Sequence, residues 1–165
     1  MTRPPQTGVI QDPAALCKHI IGRQFPGAQA TVQKDQALAF CKAIGESNPL
    51  FHDSATAQRQ GYRDILVPPT YLFVVKFSVM NPANVLDELG LEGEAGKLLH
   101  AEQSFEYFEP VCVGDRLDFE ERVVDAYDKR NGALLFVVLE TRVANQLRQH
   151  VCSIRHTEVV RMEAA

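Results

Sequence analysis

The sequence predicts an α+β domain in which a long, curved antiparallel sheet wraps around a central helix. Three observations carry this expectation. Helical patterns occupy the first half of the chain and four long β-rich runs the second, a segregation typical of α+β architecture. The stretch "ILVPPTYLFVVKFSVM" opens on two prolines and is then apolar almost all round, which a helix tolerates only where it is buried. A lone buried helix of this kind needs a sheet curled about it.

The elements follow in order. Residues 1–12, with Pro4, Pro5 and Gly8, read as a flexible lead, and residues 13–165 as one domain. "DPAALCKHIIG" has an Asp cap, a proline at the first helical position and Gly22 as a stop, the marks of a short helix. "RQFPGAQATV" reads as a first strand, interrupted by Pro26 and Gly27. In "QKDQALAFCKAIGE" the apolar Ala37, Leu38, Phe40, Cys41 and Ile44 share one helical face, and Gly45 ends it. "HDSATAQRQGY" reads as another short helix, closed by Gly61. The double proline pins Pro68 in extended geometry and starts the buried helix near Pro69. Residues 82–97 form a Gly- and Glu-rich connection with a helical turn at "NVLDEL". The strands "LLHAEQSFEYFEPV", "DRLDFEERVVDAYDK", "ALLFVVLETRVANQ" and "HVCSIRHTEVVRM" are separated by "CVGD", "KRNG" and "QLRQ", and "RNG" signals a tight hairpin.

Composition narrows the function. Apolar residues make up 45% of the chain, charged residues 23%, and the net charge is −4, as in an ordinary globular protein. The absence of a basic run argues against nucleic acid. The longest apolar run is broken by Lys76 and too short to span a bilayer. The first residues lack a secretory h-region, so the expected location is the cytoplasm. Cys17, Cys41, Cys112 and Cys152 have no zinc-type spacing and read as small buried hydrophobes. Neither a metal nor a cofactor is implied.

The loop "GESNPLFHD", residues 45–53, concentrates Glu46, Asn48, His52 and Asp53, all able to grip a small molecule or a water. "AFCKAIGESNPLFHDSATAQRQGY" resembles the hydratase signature of the MaoC-like family, and "HAEQSFEYFEPVCVGDRL" resembles the strand–turn–strand that follows it there. The likeness runs from about residue 10 to 162. "YRDILVPPTYL" is most similar to the N-terminal, FAS1-like dehydratase type of this family. That type includes substrate-binding subunits of hydroxyacyl-carrier-protein dehydratases. The resemblance implies the hotdog fold, acyl-CoA or acyl-carrier-protein thioesters as ligands, and (R)-specific addition or removal of water across the 2,3 bond.

Hydration of a 2-enoyl thioester requires a water deprotonated at C3, a proton delivered to C2, and a donor for the developing enolate oxygen. In the family an Asp and a His grip the water, and a glycine N–H at the start of the buried helix meets the thioester oxygen. These positions fall on Glu46, Phe51 and a site at or beside Pro69, with Asn48 retained. A phenyl ring moves no proton, and proline has no N–H. The expectation is therefore a subunit that binds the acyl chain and pairs, sheet edge to sheet edge, with a catalytic hotdog subunit. The alternatives are a homodimeric hydratase that uses Glu46 and His52, and a non-catalytic acyl-thioester binding module. The expected substrate contacts are Asn48, Phe51, Tyr62, Arg63, Pro69 and Thr70, with Arg63 placed to meet a phosphate. His100 and Gln103 are expected on opposite faces of their strand, and His150 and His156 on a strand surface.

Overall fold

The computed structural model describes residues 12–81, 86 and 97–162. Of the expected lead, residues 1–11 lie outside these, as does the turn expected over 84–89 apart from Leu86, which is buried. Helix α1, Pro13–Ile20, starts on the Asp12 side chain, which accepts a hydrogen bond from the Ala14 N–H. Strand β1 is Ala28–Thr31 and helix α2 is Lys34–Ile44, ending on Gly45 in the left-handed conformation at φ 71°. A single 3-10 turn at Pro49–Phe51 leads into the short helix α3, Ser54–Arg59, which Asp53 caps. Helix α4, Tyr71–Val79, follows the double proline with Thr70 as its N-cap. The strands are β2 at Leu98–Tyr107, β3 at Arg116–Lys129, β4 at Leu134–Ala144 and β5 at His150–Arg161.

The sheet is antiparallel throughout, in the order β1-β3-β4-β5-β2. The β3–β4 and β4–β5 connections are hairpins, the first as "RNG" predicts. "CVGD" differs: it belongs to a crossover, because β2 lies at one edge and β3 sits beside β1 near the other. The "RNG" hairpin uses three successive left-handed residues, Arg130, Asn131 and Gly132 at φ 57°, 53° and 84°. A β-bulge between His100 and Glu102 shifts the register of β2 on β5. The bulge overturns the expectation of opposite faces. His100 pairs with Glu158 and Gln103 with His156, two β5 residues two apart, so both side chains lie on one face.

Helix α4 seats Tyr71, Leu72 and Val75 on Leu117 and Phe119 of β3, Val143 of β4 and Ile154 of β5. A second apolar cluster joins Leu16, Cys17 and Ile20 of α1 to Val123, Leu135, Leu139 and Val160. The expectation of a helix buried all round needs correction. One face of α4 is buried, but Val74 is 47% and Val79 40% exposed, because the sheet of one chain covers one side only. All four cysteines are buried and free.

Gly132 is held by its surroundings as well as by its turn. A Cβ there would lie 2.8 Å from Pro13 Cγ, at a backbone φ of +84°. Gly132→Ala is expected to destabilise the fold by about 1–3 kcal/mol, measured as a lower midpoint in urea unfolding.

Candidate functional site

A pocket of about 350 Å3 opens at the start of α4. Its walls bring together Phe51 from the loop, Tyr62, Val67 and Pro69 from the segment before α4, and Tyr107, Phe108 and Val111 from the end of β2 and beyond. The chain reaches this geometry through two short contacts: Leu66 N–H donates to Leu50 O at 3.0 Å and Val67 N–H to Val111 O at 3.1 Å. The first pins the approach to α4 against the loop, the second against the β2–β3 crossover. Tyr107 donates its hydroxyl hydrogen to Pro69 O. Burial pushes this phenol well above its ordinary pKa, so it stays protonated.

Of the residues singled out in the sequence, Phe51, Tyr62 and Pro69 line the pocket. Glu46, Asn48, His52, Arg63 and Thr70 are not among its lining residues. Inside the loop, Glu46 Oε1 accepts from Asn48 N–H at 2.8 Å and Asn48 Oδ1 from Leu50 N–H at 3.1 Å. The exposed His52 places Nε2 2.6 Å from Glu46 O. A carbonyl only accepts, so Nε2 carries the hydrogen. His52 thus meets the backbone of Glu46 and not its carboxylate. Asp53 Oδ2 accepts from Thr56 N–H at 2.7 Å, and its hydrogen bonds to Thr56 hold its carboxyl below the usual range.

Arg63 is directed elsewhere than the pocket. One of its nitrogens donates to both oxygens of buried Asp115, at 2.6 and 2.8 Å. Asp115 also accepts from Cys112 N–H at 2.9 Å and Gln146 Nε2 at 2.9 Å. Thr70 is exposed and caps α4 without a side-chain hydrogen bond. Sequence reading missed Tyr107, Phe108 and Glu109 as pocket residues. The alternation of Phe105 and Tyr107 in "SFEYFEP" was the available signal, because it marks one face of β2.

A second cluster lies in the core beneath the C-terminal half of α4. Lys76, 1% exposed, pairs with Glu121 of β3, 3% exposed. Thr141 Oγ1 donates to Glu121 Oε2 at 2.6 Å. Lys76 Nζ lies 3.4 Å from His156 Nε2, and Glu158 Oε1 lies 3.7 Å from the same nitrogen and 3.6 Å from His100 Nδ1. The expectation that His156 sits on a strand surface is wrong: the residue is 2% exposed. Its face of β5 is the one α4 covers. Burial, helped by the Lys76 ammonium, pushes its pKa down to about 2. Burial raises the Glu158 carboxyl and lowers the Lys76 ammonium.

A five-stranded antiparallel sheet packed against one face of a central helix defines the hotdog class. Residues 19–154 match the family described as FAS1-like, dehydratase domain region. The chain belongs to that family. It is 30% identical over 151 residues to a UPF0336 protein of Thermobifida fusca, covering 91% of this chain and 97% of the relative. Its fold is similar to that of the HadBC (3R-hydroxyacyl-ACP dehydratase) complex from Mycobacterium tuberculosis, with TM-score 0.72 and 21% identity over 85% of this chain and 96% of that one. It is also similar to the R-hydratase PhaJ1 of Pseudomonas aeruginosa, with TM-score 0.63 and 19% identity over 87% and 83% of the two chains.

Two outcomes are expected from the buried cluster. Lys76→Met leaves Glu121 without its cation and should cost about 3–5 kcal/mol, most of which the double variant Lys76→Met, Glu121→Leu should recover; denaturant unfolding of the three proteins measures both. His156 is neutral when folded, but takes a proton below about pH 6.5 when unfolded. Its contribution is complete above that pH and is lost as the pH falls towards 2. The raised Glu158 works in the opposite direction, so the comparison is made against His156→Phe. The stability of the wild type relative to that variant should fall by up to about 1.4 kcal/mol per pH unit below pH 6.5.

Proposed function

We propose that this chain is the acyl-binding subunit of an (R)-specific 2-enoyl-thioester hydratase or 3-hydroxyacyl-thioester dehydratase, paired with a catalytic hotdog subunit. Its ligand is a thioester of CoA or of an acyl carrier protein, and its place of action is the cytoplasm. The observation that carries the reading is the wall of the pocket at the start of α4. Phe51 and Pro69 stand there, and among the described residues no imidazole lines it. Glu109, the carboxylate among the lining residues, is solvent-exposed just past β2.

The chemistry divides accordingly. A mostly apolar pocket with a few polar atoms suits an acyl thioester. Removing acid–base help alone forfeits about 10²–10⁴ in rate, which leaves too little for useful turnover. His52 and Glu46 serve the loop's own hydrogen bonds, which supports a shape-keeping role for them. The outer position of β2 in the sheet leaves its far edge available for a partner strand, and the exposed Val74 and Val79 on α4 give apolar surface for a partner to cover. The HadBC structure, a complex by its name, supports pairing with a second chain.

The purified chain is expected to give no hydration of crotonyl-CoA, followed by loss of the enoyl absorbance. Co-expression with a hotdog chain carrying an intact Asp and His should restore the rate, and His52→Ala in this chain should leave that rate unchanged. Turnover by the lone chain that His52→Ala abolishes would instead identify a self-sufficient homodimer.

A further inference from the structure

We propose that the Tyr107 hydroxyl is the hydrogen-bond donor to the thioester carbonyl oxygen in the pocket at the start of α4. The inference rests on reading that pocket as an acyl-thioester site and assigns the group that orients the ligand within it.

The donors available in this pocket are few. Pro69 and Pro110, both in its wall, have no N–H. Among the described lining residues, the backbone N–H groups of Phe51, Tyr62, Leu66, Val67, Phe108 and Glu109 are given to other residues of the chain, namely to Asn48, Ala57, Leu50, Val111, Val151 and Val151 respectively. Tyr107 belongs to the β2–β5 ladder, and the Val111 N–H is the backbone donor of the wall outside this set. An ionised Glu109 side chain only accepts. Among the described lining residues, the side-chain donors are the phenols of Tyr62 and Tyr107. Their positions differ. The Tyr107 oxygen is fixed at the head of α4 through its hydrogen bond to Pro69 O. There the positive end of the helix favours an oxygen that gains negative charge. Burial keeps the phenol protonated, so it is a donor throughout the neutral range.

The hydroxyl has one hydrogen, and binding changes its acceptor. Rotation about the C–O bond turns the hydrogen from Pro69 O to the ligand oxygen, and Pro69, which is exposed, can take water in exchange. Between two neutral carbonyls this exchange gains little. It gains more as the ligand oxygen becomes negative, because a charge-assisted hydrogen bond is roughly twice as strong. The arrangement therefore orients a resting thioester weakly and favours its enolate form.

The test compares hexanoyl-CoA with S-hexyl-CoA, the thioether that lacks the carbonyl, by calorimetry on the full chain. The wild type should prefer the thioester by about two- to threefold. Tyr107→Phe should lose that preference while keeping the thioether affinity, and Tyr62→Phe should keep both. A merely structural role, through the tether to Pro69, would weaken both ligands equally and leave their ratio intact. That result overturns the proposal, as does loss of the preference in Tyr62→Phe. If Tyr107→Phe is poorly folded, 3-fluorotyrosine at position 107 retains ring and hydroxyl and donates more strongly. The preference should then rise, and an unchanged ratio counts against the assignment. Equal wild-type affinity for the two ligands refutes the role of Tyr107 alone, whereas failure to bind either refutes the acyl-thioester reading and this inference with it.

Discussion

The position of helix α4 depends on one ion pair. Its residues are apolar on nearly every side, and apolar contact alone is permissive: such a helix could turn on its axis and still bury hydrocarbon. Lys76 removes that freedom. Its ammonium lies in the core against Glu121, itself held by Thr141, and any other rotation would leave two buried charges unpaired. With Lys76 facing β3, Tyr71, Leu72 and Val75 face the sheet, and the opposite side of the helix, carrying Val74, is left outward. The same constraint aims the start of the helix, so Pro69 meets Tyr107 and closes one wall of the pocket.

A second polar node shapes the opposite wall. Asp115 is buried, yet accepts from Arg63, Cys112 and Gln146. These donors come from the segment before α4, the crossover after β2 and the β4–β5 hairpin, three pieces remote in sequence. Drawing them onto one carboxylate fixes the crossover, and Val67 and Val111 are then held at backbone hydrogen-bonding distance. Arg63, which sequence alone offers as a phosphate ligand, is in the structure a clamp on this wall.

Much of this fold is legible in the sequence because the signals are local. A double proline starts α4, Gly45 and Gly61 end helices, and alternation marks the strands. What cannot be read locally is pairing. Nothing near β2 says that it crosses to the far edge of the sheet beside β5. A single-residue bulge after His100 reverses the side-chain phase, so His100 joins Gln103 on the face next to His156. His156 itself sits in a strand rich in polar residues, and only the placement of α4 above β5 makes it buried. For the site, the sequence brings Phe51, Tyr62 and Pro69 into view through their neighbours in motifs. Tyr107 lies thirty-eight residues beyond Pro69, and only strand order brings the two together.

The loop 45–53 explains its own appearance. Its polar residues look catalytic because a tight turn next to a helix end needs as many hydrogen-bonding groups as a reaction does. Glu46 and Asn48 satisfy backbone N–H groups within the loop, His52 satisfies the Glu46 carbonyl, and Asp53 caps α3. Each of these groups is turned into the loop's own framework. The side chain left to face the pocket is Phe51, which adds apolar surface and no acid or base. A loop so satisfied gains from being rigid, since a phenyl ring held still forms a wall for a hydrocarbon chain at little entropic cost. The polar character of "GESNPLFHD" thus serves to present its one aromatic residue.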